Sequence, residues 1–416
     1  MTQSVFQTLQ ARGYVYQATN EAEIRRLLDD TAHPISFYLG IDPTADSLHI
    51  GHFCSLMTFR RLQRAGHRGI LLIGGATGAI GDPSGRQDIR AMMERERLAH
   101  NLAEVKALAA RFVEPETVIV NNADWTDKYP YIDFMRDIGK HFNVAKMLAT
   151  EAYDKRLSEG GLTFMEMGYM LMQAYDFVHL NRTMGCVLQI GGSDQWANIV
   201  AGTELGRKMN AVAGQEREVM YGLTSPLLLN RDGTKMGKTA KGALWVARDK
   251  TVPYDFYQYF YNVDDADTGM LLRLFTDIPL AEIEAAVGGD IRAAKRRMAL
   301  EITALIHGRE EAEAAASAAS ALFAGDGATG DAPELAFAWN GRTVAKLADV
   351  LAESGFLPSK AEVRRQIAQG ALMVDGVKIT DENAELARGG GQAEILVKKN
   401  RIAHKMYFYH SQIKKR

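Results

Sequence analysis

Cysteine is almost absent from this chain, which has only 2 among its 416 residues. Cys54 and Cys186 lie far apart and outside any Cys-x-x-Cys spacing, which excludes both a disulfide framework and a thiolate metal site. No cluster of histidine, cysteine and carboxylate residues has metal-ligand spacing either, so we expect no protein-bound metal. This cysteine usage fits a reducing, cytoplasmic location.

Long apolar runs and an excess of charge are also missing. The start, MTQSVFQTLQARGY, lacks a basic segment followed by an apolar one, and no later apolar stretch reaches the ~18 residues that a spanning helix needs. We therefore expect a protein that is neither exported nor embedded in a membrane. The formal net charge is -2, so a polyanionic partner would have to be bound by local basic patches.

Neither of two familiar glycine-rich nucleotide motifs occurs. The chain has no Gly-x-x-x-x-Gly-Lys-Ser/Thr loop and no strand-linked Gly-x-Gly-x-x-Gly, which argues against a kinase-type phosphate loop and a dinucleotide site. The composition, with 47% hydrophobic and 24% charged residues, is typical of a folded globular protein. The length exceeds what one hydrophobic core usually supports, so we expect two or three domains.

Short apolar runs alternate with longer helical patterns over residues 35–198. ISFYLGI, GILLIGG, VIVNNADW and CVLQIGGSDQW predict strands, and FCSLMTFRRLQRAG predicts a helix between the first two. This alternation indicates strand–helix–strand units, and hence an α/β domain with a parallel sheet. Ligands of such sheets bind beyond the carboxyl ends of the strands, so functional residues are expected there.

The patterning changes after residue 249. Apolar positions three and four residues apart in YDFYQYFYN, GMLLRLFTDI, LAEIEAAV and RAAKRRMALEITALIHG predict an all-helical domain. AGDGATGDAP, over residues 324–333, indicates a linker, and a third unit with helical and strand-like runs and a basic tail follows it. The predicted domains are residues 1–245, 246–323 and 344–416, with a linker over residues 324–343.

Two short motifs predict phosphate chemistry. His49 and His52 fall at the start of a predicted helix, where free backbone N–H groups attract an anion and Gly51 permits its close approach. Lys235 and Lys238 lie in a predicted loop, from which their ammonium groups could follow the charge that builds on departing pyrophosphate. Simpler alternatives stay open for each motif alone: histidines that cap a loop and a helix, and lysines on a solvated charged loop.

A polar row interrupts the apolar helix predicted for TFMEMGYMLMQAYDF. Tyr169, Gln173 and Asp176 lie at i, i+4 and i+7, so they share one face. Burying such a row is costly unless something hydrogen-bonds it, which a polar substrate could do. The alternative from periodicity alone is a thin solvated face on an ordinary core helix.

The two motifs, in this order, resemble the paired ATP-binding sequences of class I aminoacyl-tRNA synthetases. YLGIDPTADSLHIGH, GGATGAIGDPSGR, YMLMQAYDF and IGGSDQWANI are similar to segments of the bacterial tyrosyl-tRNA synthetase family, and the resemblance covers the whole chain. Gly237 and Thr239 depart from the serines frequent in the second motif, which leaves both lysines in place. The resemblance implies a Rossmann-like catalytic domain with a parallel sheet, a helical anticodon-recognition domain and a small α+β RNA-binding domain. It also implies a homodimer, whose interface is an insertion around residues 120–185.

The resemblance further implies a reaction and the residues that carry it. ATP with Mg²⁺ would activate tyrosine as tyrosyl-adenylate, and the tyrosyl group would pass to the terminal adenosine of tRNA(Tyr). The implied catalytic residues are His49, His52, Thr44, Lys235, Lys238 and Arg86. The implied tyrosine-binding residues are Tyr38 and Asp176 at the phenol hydroxyl, and Asp82, Tyr169, Gln173 and Gln195 at the amino group. The implied contacts with ATP or the adenylate are Gly40, Asp42, Gly51, Gly192, Asp194 and Lys238.

Basic residues in the later part of the chain predict contacts with RNA. Cations pair with phosphates, and interleaved aromatic rings can stack on unpaired bases. A helix that resembles part of a small RNA-binding module carries Lys360, Arg364 and Arg365. The tail adds Lys398, Lys399 and Arg401 with Tyr407, Phe408 and Tyr409, and the helical domain adds Arg292, Lys295, Arg296 and Arg297. An ordinary solvated basic surface is the alternative for each cluster.

Three other functions share some of these features. A tryptophanyl-tRNA synthetase has the same fold and chemistry, although Tyr38 with Asp176 favours a phenol. A different nucleotidyltransferase is disfavoured by the C-terminal RNA-binding unit. A non-catalytic RNA-binding relative is disfavoured by the presence of both histidines and both lysines.

Overall fold

The computed structural model of the chain describes residues 4–83, 93–159, 161–214, 219–230, 233–239, 242–323, 334–357, 359–374, 377–387, 394–399 and 402–409. The chain forms two compact units. The first contains Met1–Gly237 and Trp245–Ala247, and the second contains Lys238–Leu244 and Arg248–Arg416. No helix within the described ranges is long and apolar enough to cross a bilayer.

A six-stranded sheet forms the centre of the first unit. Its strand order is β1-β6-β5-β2-β3-β4, and every neighbouring pair is parallel except β1 with β6. Leu and Ile dominate β3, whose residues are buried after the first, as expected for a parallel sheet covered on both faces. The predicted α/β fold with a parallel sheet is therefore confirmed. The strands are β1 (Gln17–Ala18), β2 (Ser36–Ile41), β3 (Arg68–Ile73), β4 (Val118–Asn121), β5 (Cys186–Gly192) and β6 (Tyr221–Ser225).

Helices cover this sheet, and the longest, α10, packs along α11. Phe177 and Val178 on α10 join Tyr38, Ile70 and Leu72 of the sheet in one buried cluster. The helices are α1 (Val5–Arg12), α2 (Glu21–Asp29), α3 (Ile50–Arg64), α4 (Gly75–Ile80), α5 (Arg95–Ala110), α6 (Ala123–Thr126), α7 (Tyr131–Asp137), α8 (Val144–Leu148), α9 (Glu151–Glu159), α10 (Phe164–Met184) and α11 (Trp196–Ala213). Two 3-10 turns occupy Gly139–His141 and Ser193–Gln195.

The two ends of α10 are fixed by local chemistry. Thr163 and Glu166 form a capping box, in which each side chain accepts from the backbone N–H of the other residue. Gly185 ends the helix in the left-handed conformation, with φ of 62°, which glycine adopts at no steric cost. Because both ends of α10 are fixed in this way, the polar row has a defined position along the helix axis beside the sheet.

Polar residues collect at the carboxyl edge of the sheet, as the parallel arrangement predicts. Asp42 follows β2, and Asn121 and Asn122 lie at the end of β4. At the end of β3, Gly74 has no room for a side chain, because an added Cβ would lie 2.0 Å from Asp42 Oδ1 and 2.3 Å from Thr77 Oγ1. This close approach lets the chain turn into α4 and brings its polar groups to the same edge.

The second unit begins with a short hairpin and five helices. Phe256, Phe260, Met298 and Ile302 are fully buried, and they lie at the apolar spacing that predicted these helices. The elements are β7 (Lys238–Thr239), β8 (Gly242–Ala243), α12 (Pro253–Tyr261), α13 (Thr268–Phe275), α14 (Leu280–Gly288), α15 (Ile291–His307) and α16 (Arg309–Phe323), with a 3-10 turn at Asp265–Asp267.

The rest of the second unit is a small α+β arrangement. A five-stranded sheet has the order β12-β11-β14-β15-β9, and a separate pair joins β10 with β13. Phe337, Leu351, Val363 and Leu372 belong to its buried core. The elements are β9 (Glu334–Ala338), β10 (Val344–Lys346), α17 (Leu347–Glu353), α18 (Lys360–Ala368), β11 (Leu372–Val374), β12 (Val377–Lys378), β13 (Glu385–Ala387), β14 (Glu394–Lys399) and β15 (Ile402–Tyr409).

One strand lies inside the segment whose composition indicated a linker. β9, within the predicted linker 324–343, pairs in parallel with β15 and so belongs to the sheet. Its five residues, ELAFA, are too few to show a clear alternation, and the partner strand lies far away in the sequence. Residues 324–333, which carry the Gly-rich part of the predicted linker, lie outside the described residues.

Candidate active site

The first histidine of the predicted motif caps a helix. His49 Nδ1 accepts hydrogen bonds from the backbone N–H groups of Gly51 at 3.1 Å and His52 at 3.3 Å, at the start of α3. A ring nitrogen that accepts two N–H groups carries no proton, so the neutral imidazole must carry its proton on Nε2. His49 therefore caps the helix through Nδ1, as the simpler alternative proposed. This capping also orients the ring and its Nε2–H group.

The second histidine is buried against the first. The rings of His49 and His52 stack, with centroids 3.7 Å apart and planes at 16°. Burial, together with His49 and Lys235, lowers the pKa of His52 well below its ordinary value, so this imidazole is neutral near neutral pH. His52 Nδ1 is buried and has no hydrogen-bond partner among the described residues. A neutral imidazole can donate one hydrogen bond to a phosphate oxygen without carrying charge.

The structure brings one of the two predicted lysines to this histidine pair. Lys235 is partly exposed, its Nζ lies 3.4 Å from Asp194 Oδ2, and it contributes to the lowered pKa of His52. The backbone of Lys235 pairs with Leu229, and the backbone of Trp245 pairs with His49. The side chain of Lys238 and the whole of Arg86 lie outside the described residues.

A buried carboxylate lies at the centre of the predicted tyrosine pocket. Asp176 Oδ2 accepts from Asn122 Nδ2 at 2.9 Å, and Oδ1 accepts from Trp125 Nε1 at 2.8 Å. Burial raises the pKa of Asp176 to about 7, and these two hydrogen bonds oppose that rise. The ring of Tyr38 packs on Phe177, and its buried hydroxyl has no hydrogen-bond partner among the described residues. A carboxylate acceptor and an unsatisfied hydroxyl donor are what a phenol hydroxyl requires.

The residues predicted for the substrate amino group form a second polar set. Gln195 Nε2 donates to Asp82 Oδ2 at 2.6 Å, and Tyr169 OH donates to Asp42 Oδ2 at 2.9 Å. Gln173 Oε1 is buried without a hydrogen-bond partner in the described part of the chain. Tyr169 and Asp42, which the sequence resemblance assigned to different parts of the substrate, thus bond to each other. Carboxylates and side-chain oxygens collected in this way suit an ammonium group.

Four residues of this site were missed by sequence reasoning. Thr77 Oγ1 donates to Asp42 Oδ1 at 2.7 Å, and Asn122 Nδ2 donates to Thr77 Oγ1 at 2.9 Å as well as to Asp176. Asn122 and Trp125, just beyond β4, could have been found from the rule that ligand groups follow parallel strands. The fourth, Gln189, pairs with Tyr38 in the sheet register, and its buried Oε1 has no partner within the described ranges.

The predicted glycines and Thr44 differ in how tightly they are enclosed. An added Cβ at Gly192 would lie 2.8 Å from Asp194 Oδ1, and one at Gly51 would lie 3.0 Å from the ring of His49. Gly40 has ordinary room, since its nearest neighbour, Leu72, is 3.9 Å away. The N–H of Thr44 donates to Asp42 O at 2.8 Å. Close backbone approach is therefore required at two of these three glycines.

Among the described residues, most of the cations that we predicted to bind RNA form local ion pairs. Lys360 pairs with Asp349 at 2.9 Å and Arg365 with Glu362 at 2.8 Å, while Arg364 is exposed. In the helical part, Arg296 pairs with Asp290 at 3.9 Å, Arg297 pairs with Glu282 at 3.0 Å, and Arg292 is exposed. The side chains of Lys398 and Lys399 and the whole of Arg401 lie outside the described residues.

Lys295 departs from the prediction of a phosphate contact. Its side chain is buried, and Nζ donates to Val263 O and to Asp265 Oδ1, both at 2.6 Å. Lys295 is adjacent in the sequence to exposed arginines, but its spacing from buried Ala299 and Ile302 places it on the inward face of α15. This lysine therefore holds the helical part together, and it does not face an RNA backbone.

The carboxyl edge of this parallel sheet thus holds an imidazole pair, a lysine and a buried phenol-type pocket, which define an ATP-dependent enzyme that handles a small polar substrate. Residues 30–324 match the family described as tRNA synthetases class I (W and Y), and residues 346–390 match the S4 domain. The chain belongs to this class I tRNA synthetase family.

Individual relatives agree with that assignment. A tyrosine–tRNA ligase of Clostridium perfringens is 44% identical over 409 residues, covering 96% of this chain and 97% of the relative. A tyrosine–tRNA ligase of Clostridium botulinum is 48% identical over 389 residues, covering 92% and 93%. The solved structure of a truncated mitochondrial tyrosyl-tRNA synthetase of Coccidioides posadasii is 30% identical, with a TM-score of 0.66 over 76% of this chain and 92% of that one.

Proposed function

We propose that the chain is a tyrosine–tRNA ligase, which activates L-tyrosine with ATP and transfers it to the terminal adenosine of tRNA(Tyr). The observation that carries this specificity is the phenol pocket, where Asp176 offers a buried acceptor and Tyr38 a buried hydroxyl without a partner. Phenylalanine would leave both groups unpaired, and tyrosyl-tRNA synthetase is itself the standard example of this kind of rejection. A tryptophan side chain has no hydroxyl to place between them.

The first step needs positioning and charge stabilisation. The tyrosine carboxylate attacks the α-phosphorus of ATP, a phosphorus–oxygen bond forms, and pyrophosphate leaves with the electrons of the broken bond. The nucleophile is already an anion, so the step requires no protein base. His49 and His52, the latter as a neutral imidazole, would donate to phosphate oxygens, and Lys235 would balance the charge on pyrophosphate.

Family membership assigns further parts of this step. Lys238, Thr44 and Arg86 would assist on the phosphates, and Asp194 and Asp42 would bind near the ribose. Mg²⁺ would arrive with ATP as part of the substrate, in keeping with the usual binding of Mg²⁺ through substrate phosphates. In the second step a terminal ribose hydroxyl of the tRNA attacks the adenylate carbonyl carbon, an ester forms, and AMP leaves.

The assembly we propose is a homodimer joined through the insertion around residues 120–185. Large apolar side chains are exposed on this segment, among them Tyr131, Ile132 and Phe164 at 63%, 63% and 65%. Exposed apolar groups concentrated on one segment favour a contact with another protein surface. Met147 and Tyr153 of the same segment are buried against residues of α10 and α11.

We also propose the domain roles and the location of the protein. Residues 1–245 would form the catalytic domain, 246–323 the anticodon-recognition domain, and 344–416 the C-terminal RNA-binding domain after a linker within 324–343. The S4 match to residues 346–390 supports the RNA-binding role, and exposed Arg364 is its clearest described candidate for a phosphate contact. A cytoplasmic location fits an enzyme that charges tRNA for protein synthesis.

Pyrophosphate exchange with each of the twenty amino acids tests the proposed function directly. We expect ATP–pyrophosphate exchange that depends on tyrosine and is at background level with phenylalanine and tryptophan. Exchange that depends on tryptophan would identify a tryptophan enzyme instead. Exchange with no amino acid would contradict the enzymatic role.

A further inference from the structure

A buried ion pair joins the insertion to the first turn of the helix that carries the polar row. Arg156 on α9 has a side chain only 2% exposed, although arginine is rarely buried. Its Nε donates to Glu166 Oε1 at 3.1 Å, and its Nη2 lies 3.0 Å from the same oxygen. The directed Nε–H bond and the accompanying ion pair therefore set the distance between α9 and the first turn of α10.

Glu166 uses its second oxygen to close the capping box of α10. Oε2 accepts from Thr163 N at 2.9 Å and from Thr163 Oγ1 at 2.8 Å. Burial raises the pKa of Glu166, but the hydrogen bonds from Thr163 and Arg156 outweigh it and leave the pKa lowered. The start of α10 is thus held by an ionised carboxylate that Arg156 balances.

A second side chain of α9 holds the same turn. Tyr153, three residues before Arg156 and so on the same face, donates its hydroxyl hydrogen to Met167 O at 3.1 Å. Burial raises the pKa of Tyr153, and the negative charges of Asp82 and Glu166 raise it further. The phenol of Tyr153 therefore lies within the field of a carboxylate that belongs to the amino-group set.

The two ends of the tyrosine site depend on α9 to different degrees. Tyr169 follows Glu166 by three residues, less than one helical turn, and its hydroxyl must reach Asp42. Asp176 follows Glu166 by ten residues, nearly three turns, and is fixed separately by Asn122 and Trp125. A displacement of the first turn would therefore move the amino-group end and leave the phenol end in place.

We propose that Arg156 is a positioning residue for recognition of the substrate amino group, acting through Glu166 and the first turn of α10. This inference rests on the proposed function and adds to it a residue that does not touch the substrate. Buried ion pairs are often no more stabilising than apolar residues of the same size, whereas their directed geometry specifies one arrangement. A role confined to stability would weaken both ends of the tyrosine site equally.

Two inhibitors that differ by one group separate the ends of the site. Tyramine carries the phenol and the amino group, and 4-ethylphenol carries the phenol alone. In pyrophosphate exchange by the full-length Arg156→Met variant, we expect the KM for tyrosine and the inhibition constant of tyramine to rise by about tenfold or more. We expect the inhibition constant of 4-ethylphenol and the KM for ATP to change by less than about twofold, since neither depends on the moved turn.

Two further variants keep the test independent of folding. Arg156→Lys keeps the charge but loses the fork, so its effect should lie between those of the wild type and Arg156→Met. Tyr153→Phe removes the bonds of its hydroxyl to Met167 O and Glu166 O. It should shift the KM for tyrosine and the inhibition constant of tyramine in the same direction as Arg156→Met.

The matched control is Leu28→Ala, which opens a cavity at a fully buried position on α2, a helix that packs on α1, and so lowers stability. All variants are measured at a temperature where each is folded by circular dichroism. Equal losses for tyramine and 4-ethylphenol, an unchanged KM for tyrosine, or the same selective loss in Leu28→Ala would overturn the proposal. Absence of tyrosine-dependent exchange in the wild type would instead refute the proposed function.

Discussion

Asp176 combines two properties that single residues rarely share, deep burial and two hydrogen-bond donors that favour its charged form. Asn122 and Trp125 supply these donors, and Trp125 is itself stacked on His179 with centroids 4.3 Å apart. The carboxylate is thus preorganised to accept a hydrogen bond before a ligand arrives. Its chemistry leads to two predictions.

The first prediction concerns substrate choice. Asp176→Ala should remove discrimination between tyrosine and phenylalanine while the fold is kept, because the phenol hydroxyl loses its acceptor. The measurement is the ratio of kcat/KM for the two amino acids in pyrophosphate exchange. Asp30→Ala, which removes an exposed carboxylate outside the site, is the control. An unchanged ratio in Asp176→Ala would show that another group selects tyrosine.

The second prediction concerns pH. Because the pKa of Asp176 is raised from 3.8 to about 7, chiefly by burial, the folded chain binds this proton more tightly than the unfolded chain. Raising the pH from about 4 to about 7 therefore lowers the contribution of Asp176 to the free energy of unfolding.

The side chain introduced by Asp176→Asn cannot ionise, so the free energy of unfolding of this variant should not show the fall with rising pH that Asp176 causes. The slope is about 1.4 kcal/mol per pH unit and falls as Asp176 begins to ionise near pH 7, so the variant should gain about 2 kcal/mol on the wild type between about pH 5 and about pH 7. Urea unfolding of both proteins at the two pH values measures the difference. A difference that does not change with pH would contradict the assignment of the raised pKa.

A third prediction concerns Lys235. Lys235→Ala should slow adenylate formation by about a hundredfold while tyrosine affinity changes little, because the ammonium acts on charge that develops only in the transition state. Stopped-flow fluorescence and equilibrium dialysis measure the two quantities. Lys106→Ala, on the exposed side of α5, is the control. A normal rate of adenylate formation in Lys235→Ala would remove Lys235 from the mechanism. Family membership predicts that Lys238→Ala also forms the adenylate slowly.

At the scale of elements, α3 shows how one side chain can serve both fold and chemistry. The N-cap of α3 is His49, an unusual capping residue, since Ser, Thr, Asp and Asn are preferred. The sequence placed His49 at the start of a helix but left open whether it caps or reacts. Geometry assigns the cap to Nδ1 and so places the ring proton on Nε2.

The fourth prediction separates these two roles. His49→Asn should keep the cap and the stability of the wild type, whereas His49→Ala should lose about 1 kcal/mol of stability. Both variants should form the adenylate slowly, because neither carries the imidazole Nε2–H. Calorimetric unfolding and stopped-flow adenylate formation distinguish the two effects. A normal adenylate rate in His49→Asn would show that the cap alone matters.

Other elements show where sequence reasoning succeeds and where it ends. Leu, Ile and Val runs predicted β2, β3 and β5 because burial on both faces leaves a local signature. The path from Asp42 through Thr77 and Asn122 to Asp176 has no such signature, since each step joins residues far apart in the sequence. The spacing of Lys295 from Ala299 and Ile302 does indicate an inward position, but the basic composition of this stretch favoured a surface cluster instead.

At the scale of the whole molecule, the exposed apolar residues of the insertion matter most. Tyr131 and Ile132 are exposed, whereas Met147 and Tyr153 of the same segment pack on α10 and α11. The family resemblance predicted this segment as the interface. Its periodicity did not, because an apolar residue that packs inside the protein and one that is exposed look the same in the sequence.

The fifth prediction tests this assembly. Ile132→Asp should weaken association, because a charge at the centre of an apolar contact must be desolvated without a partner. Sedimentation equilibrium should show two chains for the wild type and a shift toward one chain for the variant. Val377→Asp, at a position of similar exposure on β12, is the matched control and should stay dimeric. A wild type with the mass of one chain would contradict the proposed homodimer.

The parallel pairing of β9 with β15 also sets an order of events during synthesis. β9 leaves the ribosome well before its neighbour in the sheet, because Ala336 pairs with Tyr407 much later in the sequence. Until β15 has been synthesised, the nascent protein therefore carries β9 without its partner, as an edge that other polypeptides could join. The five-stranded sheet can form completely only after β15 has emerged, when the first unit has already had time to fold.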